Sequence, residues 1–99
     1  MKYRIENSPE TEEHLRVLTK RQQSVVMDAL EKQLQYQPTV ETKNRKPMRP
    51  NPVAPWELRI GNLRIYYDVE EEPERVVYIL AVGIKKRNNV IIGKEVVIL

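Results

Sequence analysis

One hairpin constrains the fold more than any other part of the chain. Residues 56–60 and 63–69 alternate in character, and Gly61-Asn62 between them is typical of a two-residue turn. Such a turn fixes the register, so Arg59 should lie directly opposite Arg64. The sequence therefore predicts an antiparallel hairpin whose two faces differ in polarity.

The register assigns each side chain of this hairpin to a face. The face that helices are expected to cover carries Leu58, Ile60, Leu63, Ile65 and Tyr67, and the other face carries Glu57, Arg59, Arg64, Tyr66 and Asp68.

The opposed arginines can be interpreted in two ways. Arginine directly across from arginine costs a few tenths to about 1 kcal/mol relative to a neutral pair. A phosphate or an acidic partner chain between the two guanidinium groups would offset this cost through charge-assisted hydrogen bonds. Alternatively, the side chains of Arg59 and Arg64 reach apart on a solvated face and are neutralised by Glu57 and Asp68.

The N-terminal part predicts a strand and two helices. Residues 2–6 alternate as a short strand, and Ser8-Pro9 is typical of a helix start because serine caps the first turn and proline fits its first position. This helix should end near Lys20. Residues 19–22 have the spacing of a capping box, and apolar residues then recur at helical spacing to about Tyr36. Two helices joined so closely need a sheet to cover.

The rest of the chain is predicted to be a loop followed by strands. Residues 39–55 contain four prolines among basic residues and predict a long loop that is either mobile or shaped for binding. The apolar run 76–84 predicts a central strand covered on both faces. Residues 90–99, with Gly93-Lys94 within them, predict a final small hairpin. We expect a single domain over residues 1–99.

Composition narrows the function classes. The chain has a net charge of +3, no cysteine and a single His14, which excludes disulfides and makes a histidine-based metal site improbable. No run approaches the roughly 20 apolar residues of a membrane span, and the charged start lacks a secretory signal, so we expect a cytoplasmic protein. Basic residues concentrate in 42–64 and 85–87 and acids in 68–74, which favours a phosphate-binding face.

Three segments in this order resemble the RelE/ParE family of toxins from type II toxin-antitoxin systems. They are Trp56-Glu57-Leu58-Arg59-Ile60, Leu63-Arg64-Ile65-Tyr66-Tyr67-Asp68-Val69 and Ile79-Leu80-Ala81-Val82-Gly83. Together with the Ser8-Pro9 start and the helical hairpin, the resemblance covers nearly the whole chain. It implies an α+β fold with the order β-α-α-β-β-β, in which the helical hairpin packs on one face of a mainly antiparallel sheet, plus a short C-terminal hairpin.

The resemblance also implies a chemistry. RelE toxins cleave messenger RNA on the ribosome without a metal or cofactor, by driving the ribose 2′-hydroxyl onto the adjacent phosphate. By position, Arg64 matches the family's strand arginine, Arg59 a catalytic lysine and Lys85 a second arginine, so these three are the candidate catalytic residues. The candidate RNA-binding residues, which are basic or aromatic, are Lys43, Arg45, Lys46, Arg49, Tyr66, Lys86 and Arg87.

Two departures keep other functions open. Glu57 stands where active members often carry a lysine, and we expect it to pair with Arg59 or Arg64; Ile91 falls about where they carry a tyrosine or histidine. The alternatives are a non-enzymatic gyrase inhibitor of the ParE kind, or a degenerate member that only binds its antitoxin. The expected partners are a cognate antitoxin, in a hetero-oligomer, and the ribosome with its messenger RNA.

Overall fold

The computed structural model describes residues 2–99 as a sheet of seven strands with two helices on one face. The strands are β1 (Arg4–Asn7), β2 (Arg45–Pro47), β3 (Trp56–Ile60), β4 (Leu63–Glu70), β5 (Val76–Lys86), β6 (Asn89–Ile92) and β7 (Glu95–Val97). Six of them follow one another in antiparallel order from β2 to β7, and β1 pairs with β5 in parallel. The expected α+β architecture is confirmed.

Both helices begin at the predicted caps. In α1 (Pro9–Arg16) the Ser8 side chain accepts from the backbone N–H of Thr11, and in α2 (Lys20–Ala29) Thr19 and Gln22 form the complete capping box. The first helix ends at Arg16, four residues before the predicted end near Lys20. The second helix continues as a π-helical segment, Leu30–Leu34.

The main core lies between the helices and the sheet. Leu18, Val26 and Leu34 meet Leu58 and Ile65 there, and each of these side chains is buried. Trp56 stacks on Tyr67 at the margin of this core, with ring centroids 6.1 Å apart, so it packs as a core residue. The apolar face that the hairpin register predicted is therefore the face that the helices cover.

A smaller apolar cluster lies on the opposite face. The segment 48–55, between β2 and β3, folds over this face and places Met48, Val53 and Ala54 against Tyr66 and Ala81. Asn51 holds the segment in shape. Its Oδ1 accepts from the N–H groups of Val53 and Ala54, and its Nδ2 donates to the carbonyls of Arg49 and Ala54.

The prediction of an unbroken loop over residues 39–55 was wrong for β2. Arg45, Lys46 and Pro47 pair with Leu58, Glu57 and Trp56, so this short strand extends the sheet beyond β3. Three residues without alternating polarity carry no strand signal of their own, and the backbone of β3 supplies the reason for their extended conformation.

The start of α1 fills a gap along β5. On the edge of β5 away from β4, β1 pairs with residues 76–79 and β6 pairs with residues 83–86. Between them, Thr11 donates to the carbonyl of Ile79, and His14 Nδ1 accepts from the N–H of Val82 at 3.3 Å. His14 is therefore half-buried and bound to the central strand.

Neither helix within residues 2–99 is long and apolar enough to cross a membrane.

Candidate functional site

The two arginines of the hairpin lie opposite each other, as the register predicted. Arg59 pairs with Arg64 in the β3–β4 ladder, one position from the Gly61-Asn62 turn. Direct partners in an antiparallel ladder project to the same side. Because the helices cover the other side, both guanidinium groups emerge on the face that the helices leave open.

A groove of 510 Å³ opens on this face. Three cations line it: Arg49 from the segment over the sheet, Arg59 from β3 and Lys85 from β5. We call it the basic groove. Its wall also includes two amides and five apolar side chains, namely Asn51, Asn88, Pro47, Met48, Pro50, Val90 and Leu99.

Glu57 has the only acidic side chain among the described residues that line the groove. It is 8% exposed, and its Oε1 accepts a hydrogen bond of 2.6 Å from Arg59 Nε. The expected pairing of Glu57 with Arg59 is confirmed. A carboxylate so far removed from water is stable only while it is paired. The Arg59 guanidinium therefore both neutralises Glu57 and lines the groove in the free protein.

Arg64 lies opposite Arg59, beside the basic groove, but it is not one of the described residues that line the groove. Its Nη1 donates to the carbonyls of Gly61 at 2.7 Å and Leu63 at 2.9 Å, so the guanidinium is folded back on its own turn. Both acceptors are neutral, and the Gly61 carbonyl lies at the surface, where water can replace the guanidinium as its partner. The Arg64 side chain is therefore free to exchange them for an anion.

Tyr66 differs from its prediction as an exposed RNA-binding side chain. It does face the same side as the arginines, but Ala54 and Met48 cover it and it is 0% exposed. Burial raises the pKa of its hydroxyl, and the charge of Glu57 raises it further. Tyr66 therefore cannot stack on a nucleotide, and its phenol keeps its proton at neutral pH.

Arg45 also differs from its prediction. Its side chain is 9% exposed, and it donates to the carbonyl of Val40 through Nε and to that of Gln33 through Nη1. These bonds tie β2 to the π-helical segment, through Gln33, and to the loop that follows it, through Val40. Arg45 is thus a structural residue that is withdrawn from any RNA-binding surface.

The other predicted RNA-binding residues are exposed or half-buried but do not converge. Lys43 and Arg49 are exposed, and of these two Arg49 lines the basic groove. Lys46 is half-buried and forms an ion pair of 3.4 Å with Glu41. Lys86 and Arg87 are exposed at the end of β5. Since side chains alternate along a strand, Lys86 points away from the face of Lys85.

Several residues of the groove were not predicted from the sequence, and three of them are polar or lie at the end of the chain. They are Asn51, Asn88 and Leu99, which come from three separate segments that meet only in the folded chain. Asn51 had a detectable signal, since asparagine before Pro52 is typical of a side-chain-capped turn.

No group of three or more metal-binding side chains is arranged to hold a metal ion within residues 2–99. The chemistry that the basic groove can support with its own residues is electrostatic. Cations there can stabilise a negatively charged group, and Glu57 can accept a proton.

Comparison with solved structures shows that the fold is a known one. No protein-family model matches the sequence, and no curated protein matches it. A chain of the RelBE2 toxin-antitoxin complex from Mycobacterium tuberculosis superposes with a TM-score of 0.73 and 22% sequence identity, over 86% of this chain and all of that one. The chain therefore shares its fold with a chain of this toxin-antitoxin complex.

Proposed function

We propose that this protein is the toxin component of a type II toxin-antitoxin pair, and that it cleaves messenger RNA on the ribosome without a metal. The observation that carries the proposal is the basic groove, in which Arg49, Arg59 and Lys85 surround Glu57. The fold shared with a chain of the RelBE2 complex supports the toxin role. The proposal includes a cytoplasmic location and a cognate antitoxin as partner.

In the proposed reaction the ribose 2′-oxygen forms a bond to the adjacent phosphorus, and the bond from phosphorus to the 5′-oxygen of the next nucleotide breaks. The products are a 2′,3′-cyclic phosphate and a 5′-hydroxyl. Arg59 and Lys85 stabilise the negative charge that grows on the phosphate oxygens, and Arg64 joins them when its guanidinium leaves the turn. Glu57 takes the proton of the 2′-hydroxyl, and solvent protonates the leaving oxygen.

The charge pattern also suits an acidic antitoxin. A segment of an antitoxin that places carboxylates over Arg59 and Lys85 would occupy the same groove as RNA and block it. Neutralisation of the toxin then needs no change in the fold.

One observation favours a second function, inhibition of DNA gyrase without catalysis. Ile91 pairs with Ile84 and therefore faces the helix side of the sheet, and Val90 is the residue of β6 that lines the basic groove. Neither side chain transfers protons, and no tyrosine or histidine is among the described lining residues. A ParE-like inhibitor would not need one.

One experiment separates these functions. The protein is expressed without an antitoxin in a bacterial host, messenger RNA ends are mapped, and plasmid supercoiling is measured. Cleavage in phase with codons, lost in Arg59→Ala, supports the nuclease. Altered supercoiling with intact messenger RNA supports gyrase inhibition. If neither occurs, the protein only binds its antitoxin and the proposal is wrong.

A further inference from the structure

The buried hydroxyl of Tyr66 makes no hydrogen bond of normal geometry among residues 2–99, although Glu57 lies close enough to raise its pKa. Its ring is 0% exposed under the segment 48–55, so the hydroxyl cannot turn out to solvent. Buried hydroxyl groups are normally paired, because leaving one unpaired is costly. Since its pKa is raised, the phenol is a permanent donor at neutral pH.

Glu57 is the direct partner of Tyr66 in the β3–β4 ladder. Its carboxylate is bound by Arg59, whose side chain is half-exposed and reaches the basic groove. On the other side of Glu57 in the sheet lies Lys46, which is paired with Glu41. The buried carboxylate of Glu57 thus has three donors beside it. Arg59 is bound to it and half-exposed, Lys46 is paired with Glu41, and Tyr66 has an unused hydroxyl.

We propose that Tyr66 is a positioning residue that takes over Glu57 when an anion binds in the basic groove. A phosphate draws the Arg59 guanidinium away, and the Tyr66 hydroxyl then donates to the carboxylate that Arg59 has released. The inference rests on the proposed function in one respect, namely that the anion is a phosphate of single-stranded RNA.

The physical reason is the environment of Glu57. A carboxylate that is 8% exposed and loses its cation would be left unpaired, and this penalty would count against every anion that recruits Arg59. A donor already in place removes that penalty. The exchange therefore raises the affinity of the groove while costing the free protein one unpaired hydroxyl.

The test uses a hexameric RNA whose 2′-hydroxyl groups are replaced by hydrogen, so that it binds and cannot be cleaved. Its affinity is measured by fluorescence anisotropy for the wild type, Tyr66→Phe, Glu57→Gln and the double variant, and each protein is melted without RNA. We expect Tyr66→Phe to weaken binding by about tenfold or more. Its melting temperature should stay the same or rise, because the hydroxyl makes no bond in the free protein.

The double variant isolates the exchange. In the Glu57→Gln background the side chain carries no charge, so adding Tyr66→Phe should weaken binding by less than about twofold. Lys46→Ala is the matched control for the other neighbour of Glu57. The inference is overturned if Tyr66→Phe lowers the melting temperature of the free protein, if its affinity equals that of the wild type, or if Lys46→Ala shows the Glu57-dependent loss in its place.

The two proposals fail in different ways. A wild-type protein that does not bind the hexamer contradicts this inference, whereas the proposed function fails if messenger RNA is not cleaved in phase with codons in the expression experiment. A wild-type protein that binds the hexamer only as tightly as Tyr66→Phe does contradicts this inference alone.

Discussion

Arg59 and Arg64 are direct partners across the β3–β4 hairpin, yet their guanidinium groups bind different acceptors. Arg59 Nε donates to Glu57 at 2.6 Å, and Arg64 Nη1 donates to the carbonyl of Gly61 at 2.7 Å. Separate acceptors reduce the repulsion between the two cations in the free protein. A phosphate in the basic groove would give both arginines one shared acceptor.

Substituting Arg64 should impair cleavage without unfolding the protein. Its present acceptors are two neutral carbonyls, of which that of Gly61 is exposed, so Arg64→Ala should leave the free energy of unfolding within about 0.5 kcal/mol of the wild type. Loss of a group that stabilises the charged transition state should lower the rate of RNA cleavage by about 10²–10³-fold. Arg64→Lys keeps the charge but not the planar fork of the guanidinium, so its cleavage rate should lie between those of the wild type and Arg64→Ala. Equal cleavage by all three proteins would remove Arg64 from the mechanism.

Lys85 should contribute to RNA binding through its charge. For single strands, each phosphate contact contributes about 0.7 to the slope of log affinity against log salt concentration. Lys85→Ala should therefore weaken binding of the uncleavable hexamer and reduce this slope by about 0.7. Lys94→Ala, which removes an exposed cation outside the groove lining, is the matched control. If both variants lower the slope equally, binding is not localised to the groove.

Arg45 should matter for stability and not for RNA. Arg45→Gln removes the bonds to the carbonyls of Val40 and Gln33, and urea denaturation should give a free energy of unfolding about 2–3 kcal/mol lower. Lys43→Ala removes a nearby exposed cation and should change stability little. The folded fraction of Arg45→Gln should bind the hexamer as tightly as the wild type does. A normal unfolding energy with lost RNA binding would restore Arg45 as a binding residue.

His14 should make stability fall as the pH falls. Burial lowers its pKa in the folded protein, although Glu10, Glu13 and Glu95 oppose this shift. The unfolded chain therefore takes up the proton first, at about pH 6.5, so the contribution of neutral His14 is complete above that pH and is lost as the pH drops toward the folded pKa.

The variant His14→Asn tests this dependence. Its side-chain oxygen can still accept from the N–H of Val82 but does not titrate. Urea denaturation between about pH 7.5 and 5 should show a shallower decline for His14→Asn than for the wild type. Parallel declines would mean that other groups set the pH dependence.

Gly83 should tolerate no side chain. A Cβ at this position would lie 2.7 Å from the carbonyl oxygen of Ile91 and 2.7 Å from Val90 Cγ1, so β6 would have to move. Gly83→Ala should lower the free energy of unfolding by about 1–3 kcal/mol. Gly61→Asn is the control, because the turn has open space and asparagine tolerates its positive φ of 56°. Equal effects of the two substitutions would contradict the steric explanation.

Local signals in the sequence were sufficient for much of the fold. The caps at Ser8 and Thr19 and the turn at Gly61-Asn62 each act within a few residues, so both helix starts and the register of Arg59 against Arg64 could be predicted. The face of each hairpin residue followed from the register, because alternation leaves no freedom once the turn is fixed.

Long-range contacts account for the errors. Tyr66 was correctly assigned to the open face, but its burial depends on Met48 and Ala54, which reach it from a distant segment. Arg45 is buried because the carbonyls of Val40 and Gln33 need donors, and nothing in its sequence neighbourhood indicates that. Asn88 and Leu99 were not expected in the groove because they lie far from Arg59 in the sequence and reach it only in the folded chain.

The first turn of α1 has a consequence for assembly. Because Thr11 and His14 occupy the stretch of β5 between β1 and β6, a foreign peptide cannot join the sheet at its middle. Strand addition by a partner is confined to the strands that pair on one edge alone, namely β1, β2 and β7. A neutralising protein that extends the sheet must therefore approach from the side, and its remaining length would have to cross the open face to reach Arg59.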